Sequence, residues 1–262
     1  TRVYSNSKRY MDTNRFLVIT PPTHKEYRSL VRGLTKAAWP EFMLHDRVAN
    51  EHWHELLDSF EEYQVALLDT KNNYVAAMAN GFPLRWDDSL DNLPDEGWDW
   101  AFEEAVKTYK QGISPNYHCA IQVVIHPDYQ GQRLSTPMVK AVRSVTKSKD
   151  LQALIIPVRP SEKAVYPLIS IDDYITWKNE KGLPFDAWLR VHARLGANII
   201  KTCHESKTIR GTCSEWEEWT GMKFPQSGQY IIPGALVPIE MDVEKNEGVY
   251  IEPNVWVQHS PA

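Results

Sequence analysis

The most suggestive residue order in the chain is Val123-Val124-Ile125-His126-Pro127-Asp128-Tyr129-Gln130-Gly131-Gln132-Arg133-Leu134-Ser135-Thr136-Pro137. An apolar strand passes through a glycine-containing turn into a helix, and turn amides beside a helix N-terminus form a seat for a pyrophosphate. Ser135 or Thr136 can cap that helix, and Pro137 suits its first turn, where a missing N–H costs nothing. An anionic cofactor is the chemistry this pattern asks for. A plain strand-to-helix turn is the competing reading, because a single glycine is a weak signal.

A second candidate is His192 in Trp188-Leu189-Arg190-Val191-His192-Ala193-Arg194-Leu195-Gly196. An imidazole moves protons near neutral pH, although Trp188, His192 and Leu195 share one helical stripe, where a histidine is usually a satisfied core residue. His52 and His54 lie two apart on an expected helix and point to different sides, which argues against a metal pair. The three cysteines, Cys119, Cys203 and Cys213, show no Cys-x-x-Cys spacing, so neither a zinc site nor a disulfide framework is expected. A reducing, cytoplasmic compartment follows from that usage. Glu215, Glu217 and Glu218, interleaved with Trp216 and Trp219, read as a solvated face over an aromatic underside.

The elements that must position these residues follow from apolar spacing. Phe16–Ile19 reads as a strand, the segment after Thr23 as a helix, and Ala49–Phe60 as another helix with Trp53, Leu56, Leu57 and Phe60 on one face. Gln64–Asp69 and Tyr74–Phe82 form an expected hairpin across Thr70-Lys71-Asn72-Asn73. A helix is expected over Trp98–Gln111, a strand over His118–Ile125, a helix over Pro137–Ser148, a strand over Ala153–Val158, a helix over Phe185–Gly196 and a strand over Asn198–Cys203. A short helix at Ser214–Gly221 and strands near Val237–Met241 and Val249–Ile251 complete the reading. Residues 1–14 read as a flexible lead-in, and 15–262 as one domain with a C-terminal extension from about 206.

The 262 residues are 42% hydrophobic and carry 29 Lys and Arg against 34 Asp and Glu, a formal charge of −5. That surface supplies no broad field for a phosphate backbone, so nucleic acid is not an expected partner. No apolar run approaches the ~20 residues that cross a bilayer, so no membrane association is expected either.

The segment Pro127–Ser135 resembles the acyl-CoA pyrophosphate loop of the GNAT acyltransferase superfamily, whose pattern is Arg or Gln, two residues, Gly, one residue, then Gly or Ala. Gln130, Gly131 and the following helix match; Arg133 stands where the family usually has Gly, and Ser135 where it has Gly or Ala. The succession of elements over roughly residues 15–205 is also that of GNAT proteins. The resemblance implies an α/β (α+β) GNAT fold: a mixed central sheet splayed at an acyl-CoA cleft, with helices on both faces. It implies cofactor contacts at Val124, Ile125, Gln130, Gly131, Gln132, Arg133, Leu134, Ser135 and Thr136, with acetyl-CoA or malonyl-CoA as co-substrate and no metal. A positive φ at Arg133 would cost roughly 1 kcal/mol, while its guanidinium suits a CoA phosphate.

Within the superfamily, His192 occupies the position where many members carry a Tyr that protonates the departing thiolate. His192, the Trp53 segment, Arg159-Pro160-Ser161 and Ile209-Arg210-Gly211-Thr212 are similar to the GNAT-like loading domains of polyketide synthases. This likeness implies decarboxylation of a malonyl-type CoA and transfer to an acyl carrier protein thiol, with His192, Ser161, Arg210 and Trp53 as catalytic residues. The alternatives are a conventional N-acetyltransferase on a small amine and a CoA-binding module without turnover.

Overall fold

The computed structural model describes residues 15–261; the lead-in expected over 1–14 lies outside the described residues. Among the described residues nine strands occur in chain order as β1 (Phe16–Ile19), β2 (Val65–Asp69), β3 (Tyr74–Leu84), β4 (Tyr117–Ile125), β5 (Leu154–Val158), β6 (Asn198–Gly211), β7 (Gly228–Tyr230), β8 (Ile239–Asp242) and β9 (Glu247–His259). The helices are α1 (Tyr27–Leu30), α2 (Leu34–Ala38), α3 (Arg47–His52), α4 (Glu55–Asp58), α5 (Gly97–Lys110), α6 (Ser135–Ser148), α7 (Ile171–Thr176), α8 (Ala187–Arg194) and α9 (Cys213–Thr220).

All nine strands join one mixed sheet in the order β1-β2-β3-β4-β5-β9-β8-β7, with β6 paired to β9. β4 and β5 run parallel, and the other pairs run antiparallel. Strand β9 carries β6 along one edge, while its other edge takes β8 near Val249 and β5 from Val255 to His259. The stretch expected as an extension is therefore woven into the sheet beside β5.

Helices cover both faces, as the expected fold requires. On one face Leu134, Met138 and Val142 of the loop and α6, with Leu189 of α8, pack on Ala120, Leu154, Ile156 and Val257. On the other, Trp98, Ala101, Phe102 and Ala105 of α5 pack on Phe82, Cys119, Ile121, Ile155 and Trp256. Each Leu, Ile, Val, Met or Phe among them contributes roughly 1.5–3 kcal/mol when fully buried. α5 follows the spacing read from the sequence and stops before Gly112, whose φ is +68°.

The helix expected over Ala49–Phe60 is broken into α3 and α4. The Trp53 amide still bonds to Ala49 four residues back, but Leu56 and Leu57 bond three residues back, to Trp53 and His54, a tighter turn that ends regular α-geometry. No helix among the described residues is long and apolar enough to cross a membrane.

Candidate active site

The site starts where β4 and β5 part. They pair only at His118↔Leu154 and Cys119↔Ile155, so beyond Cys119 the edge of β4 facing β5 has no strand beside it. A bulge helps turn β4 away: Gly81 opposes Ala120 and Asn80 opposes Gln122, leaving Ile121 as the extra residue. Gly81 is required there, because a Cβ would sit 2.6 Å from His118 Nε2 and 2.8 Å from the Cys119 carbonyl oxygen. The gap widens into a cleft of about 1020 Å³ walled by Ala120–Ile125 on one side and by Ile156, Val158, Ala187, Trp188 and Val191 on the other.

At one end of the cleft lies the loop singled out from the sequence. His126 Nδ1 accepts the Asp128 amide at 3.2 Å, starting a turn of 3-10 helix over Pro127–Tyr129. Tyr129 then anchors the loop by donating its hydroxyl to Asp69 Oδ2 at 2.9 Å. Arg15 holds both Asp69 oxygens, at 3.1 and 2.6 Å. The guanidinium, more than the phenol or the Lys71 amide, keeps the Asp69 carboxyl far below the usual carboxylate range. Next come Gly131 at φ +76° and Arg133 at φ +61°, two left-handed residues that curl the chain before α6. Helix α6 opens at Ser135, and neither Ser135 nor Thr136 caps it; Leu134 holds the cap position and no side chain bonds the first-turn amides. Those donors are left for solvent or an anion.

Part of the cleft lining is polar. Gln122 accepts the Trp39 indole N–H at 2.7 Å and donates to Asn80 at 2.9 Å and Thr35 at 3.2 Å. Asn80 in turn donates to Gln64 at 2.9 Å. Further along, the fully buried Glu252 accepts Arg159 Nε on both oxygens, at 3.0 and 2.9 Å, and the hydroxyl of Tyr250 at 2.7 Å. Asn254 donates to Glu252 at 3.2 Å and accepts from Ser206 at 2.7 Å. Lys207 also lines the cleft, its ammonium 3.1 Å from the centre of the Trp98 ring. The Arg159 and Glu252 charges are paired, as buried charges must be.

No protein-family model matches the sequence. The arginine N-acetyltransferase avaD of Aspergillus versicolor is 30% identical over 247 residues, covering 84% of each chain. This chain belongs to the GNAT acyltransferase superfamily. Two solved GNAT-like structures share its fold. The GNATL loading domain of CurA from Lyngbya majuscula superposes with a TM-score of 0.59 at 16% identity, over 94% of this chain and 97% of that one. The GphF GNAT-like decarboxylase in complex with isobutyryl-CoA gives 0.55 at 11% identity, over 95% and 100%.

The expected GNAT site residues are distributed unevenly about the cleft. Val124, Ile125, Gln130 and Ser135 line it. Gly131, Gln132, Arg133 and Thr136 belong to the loop and first helical turn outside its wall, while the Leu134 side chain is wholly in the core. Of the four residues expected to be catalytic, Trp53 and Ser161 line the cleft. The Ser161 hydroxyl lies 3.4 Å from Asp186 Oδ1 and accepts the Trp188 amide at 3.3 Å, at the start of α8.

His192 does not line the cleft. Its Nδ1 meets His259 Nε2 at 2.8 Å between α8 and β9, with the Trp188 ring at 4.3 Å, and it is 1% exposed. Burial, reinforced by His259, pushes its pKa down to about 3, so the ring is a neutral core group at physiological pH. Arg210 lies outside the cleft as well, in an exposed pair with Glu247 at 3.0 Å. Sequence reading passed over Asn80, Gln122, Lys207, Glu252 and Asn254; the first two lie on strands that read as ordinary β segments, while the other three lie beyond the expected strands Asn198–Cys203 and Val249–Ile251. Their only local signal is a polar residue at an inward position.

Proposed function

We propose that this GNAT protein is an acetyl-CoA-dependent N-acetyltransferase acting on a small cationic amine or guanidine. The observation that carries the reading is the polar part of the cleft lining, to which Gln122, Asn80, Lys207, Glu252 and Asn254 contribute. Decarboxylation of a malonyl thioester needs an apolar surround for the carboxylate and donors at the thioester oxygen. The imidazole on which that alternative relied is sealed beside His259, and no other histidine lines the cleft. Transfer to a carrier-protein thiol relied on the same imidazole. The name of the curated relative, an arginine N-acetyltransferase, points the same way.

In this reading acetyl-CoA lies along β4. Its diphosphate meets the amides from Gln130 to Thr136, and its pantetheine amides bond the unpaired backbone edge near Val124 and Ile125, as an added strand would. Gln130 and Ser135 contribute side chains at the cleft wall. The acceptor nitrogen, once neutral, attacks the thioester carbonyl, the C–S bond breaks and CoA departs. All three cysteines are free thiols, which supports a reducing, cytoplasmic setting.

The test is mass spectrometry of reactions containing acetyl-CoA and arginine, arginine methyl ester, agmatine or simple alkylamines. An acetylated amine supports the proposal. Release of CO2 from malonyl-CoA with no acetylated amine supports the decarboxylase instead, and calorimetric CoA binding without turnover supports a binding module.

A further inference from the structure

Lys207, in the polar part of the cleft lining, belongs to a buried charge cluster. Lys207 Nζ lies 3.1 Å from Asp46 Oδ2 and 3.5 Å from Asp99 Oδ1. Its ammonium rests on the Trp98 ring, and its side chain is 7% exposed. None of these three polar atoms has an aligned hydrogen bond. Each carboxylate spends its other oxygen on a backbone amide: Asp46 Oδ1 accepts Ala49 N–H at 2.6 Å as the cap of α3, and Asp99 Oδ2 accepts Thr208 N–H at 3.0 Å. Two carboxylates thus share one ammonium in a buried site, leaving the cluster one positive charge short. Met43, Leu44, Ala49, Asn50, Trp98 and Lys207 around it all belong to the cleft wall.

We propose that Lys207 and Asp99 carry away the proton that a cationic acceptor must lose before it attacks. The inference rests on the N-acetyltransferase reading. The acceptor ammonium passes a proton to Lys207 Nζ as Lys207 passes one to Asp99 Oδ1, leaving a neutral amine, a lysine ammonium and a carboxylic acid. The amine lone pair forms the C–N bond, the C–S bond breaks, and the second N–H proton goes to the departing thiolate to give CoA thiol. Asp99 later returns its proton to solvent. Lys207 is the catalytic residue in this scheme because it borders the acceptor; Asp99 acts through it.

The electrostatics agree with that geometry. Desolvation first, then the neighbouring Asp46 carboxylate, push the Asp99 carboxyl up to about 7 against the opposing pull of Lys207, a value suited to a general base at neutral pH. The charged groups that act on it are Asp46 at the cap of α3, Arg47 on α3 and Lys207 on β6; α3 also carries Glu51 and His52, α5 itself carries Glu103, and β9, which packs on α5, carries Glu252. Arg47 is committed to Glu51 and Glu103, and Glu252 to Arg159; β3, also packed on α5, has no charged residue.

The experiment is the pH dependence of amine acetylation by wild type, Asp99→Asn and Asp46→Asn, with acetyl-CoA affinity measured in parallel. Wild-type kcat/KM should rise through a limb near neutral pH. Asp99→Asn should abolish the limb and lower kcat by about 100-fold or more while acetyl-CoA affinity stays unchanged. Asp46→Asn keeps a good helix cap and should move the limb to lower pH, which a merely structural pair would not do. Independently of turnover, the infrared difference between wild type and Asp99→Asn should contain the carbonyl stretch of a protonated acid that vanishes on raising the pH through neutrality. Absence of that band, or an Asp99→Asn profile like wild type, overturns the relay alone. Failure of wild type to acetylate any amine overturns the N-acetyltransferase reading and the relay with it.

Discussion

Replacing Arg133 by glycine should make this protein more stable while weakening its hold on acyl-CoA. The residue is exposed, pairs with no carboxylate among the described residues, and stands at φ +61°. An L-residue in that conformation is strained by about 1–2 kcal/mol. Glycine relieves the strain but adds about 0.5–1 kcal/mol of chain entropy to the unfolded state. The net gain is about 0.5–1 kcal/mol, or a Tm higher by about 2 °C for a chain of this size. Arg133→Ala keeps the Cβ and the strain, so its Tm should stay at the wild-type value. Binding separates from stability: if the guanidinium meets a CoA phosphate, both variants should weaken acetyl-CoA about fivefold, the worth of an exposed charge pair near 1 kcal/mol. That loss should shrink at high salt. Calorimetric melting together with acetyl-CoA titration decides the matter. A lower Tm for Arg133→Gly, or an equal gain for Arg133→Ala, refutes the reasoning from backbone strain.

Asp69→Asn leaves Arg15 without its partner and loosens Tyr129; it should cost about 2–4 kcal/mol in urea denaturation and raise the acetyl-CoA Kd, because the loop loses its anchor. His118 and His192 hold pKa values of about 3 in the fold because burial disfavours their charged forms, whereas an unfolded histidine takes its proton near 6.5. Between these values the unfolded chain binds more protons, so stability falls as pH drops below 6.5, by about 2 kcal/mol per histidine at pH 5. Denaturation at pH 7 and pH 5 should show this loss, and His192→Asn should remove about one histidine's share while leaving acyl transfer within about threefold of wild type. Ser161→Ala and Arg210→Ala should each shift stability by less than about 1 kcal/mol, and Arg210→Ala should leave acetylation rates unaltered in a thiol-release assay.

The arms of the fold before residue 160 were legible because their patterns are local. The hairpin of β2 and β3, helix α5 and the strand-loop-helix of β4 and α6 each carry their periodicity and turn residues within one short window. Strand β9 was visible only as Val249–Ile251, since Glu252-Pro253-Asn254 interrupts its apolar run; the strand persists because β6 and β5 or β8 supply partners from distant parts of the chain. Gln130 and Ser135 could be found because their motif is contiguous. The buried charges beside the cleft were hidden for the opposite reason: Asp46, Asp99, Lys207 and Glu252 come from four elements and meet only after folding. His192 illustrates the reverse case, since its helical register was right but its side chain turned toward His259, a partner 67 positions away.

The placement of β9 has a bearing on how the molecule comes into being. Strand β5, which forms one lip of the cleft, has only two residues paired with β4 and otherwise leans on residues 255–259. During synthesis that lip therefore waits for a segment made about a hundred residues later, and such long-range pairing is slow to nucleate. A nascent chain stopped before residue 247 would expose Leu154, Ile155 and Ile156 along a bare edge, a surface that invites chaperones or self-association. Competence to handle a thioester thus has to wait until β9 is in place.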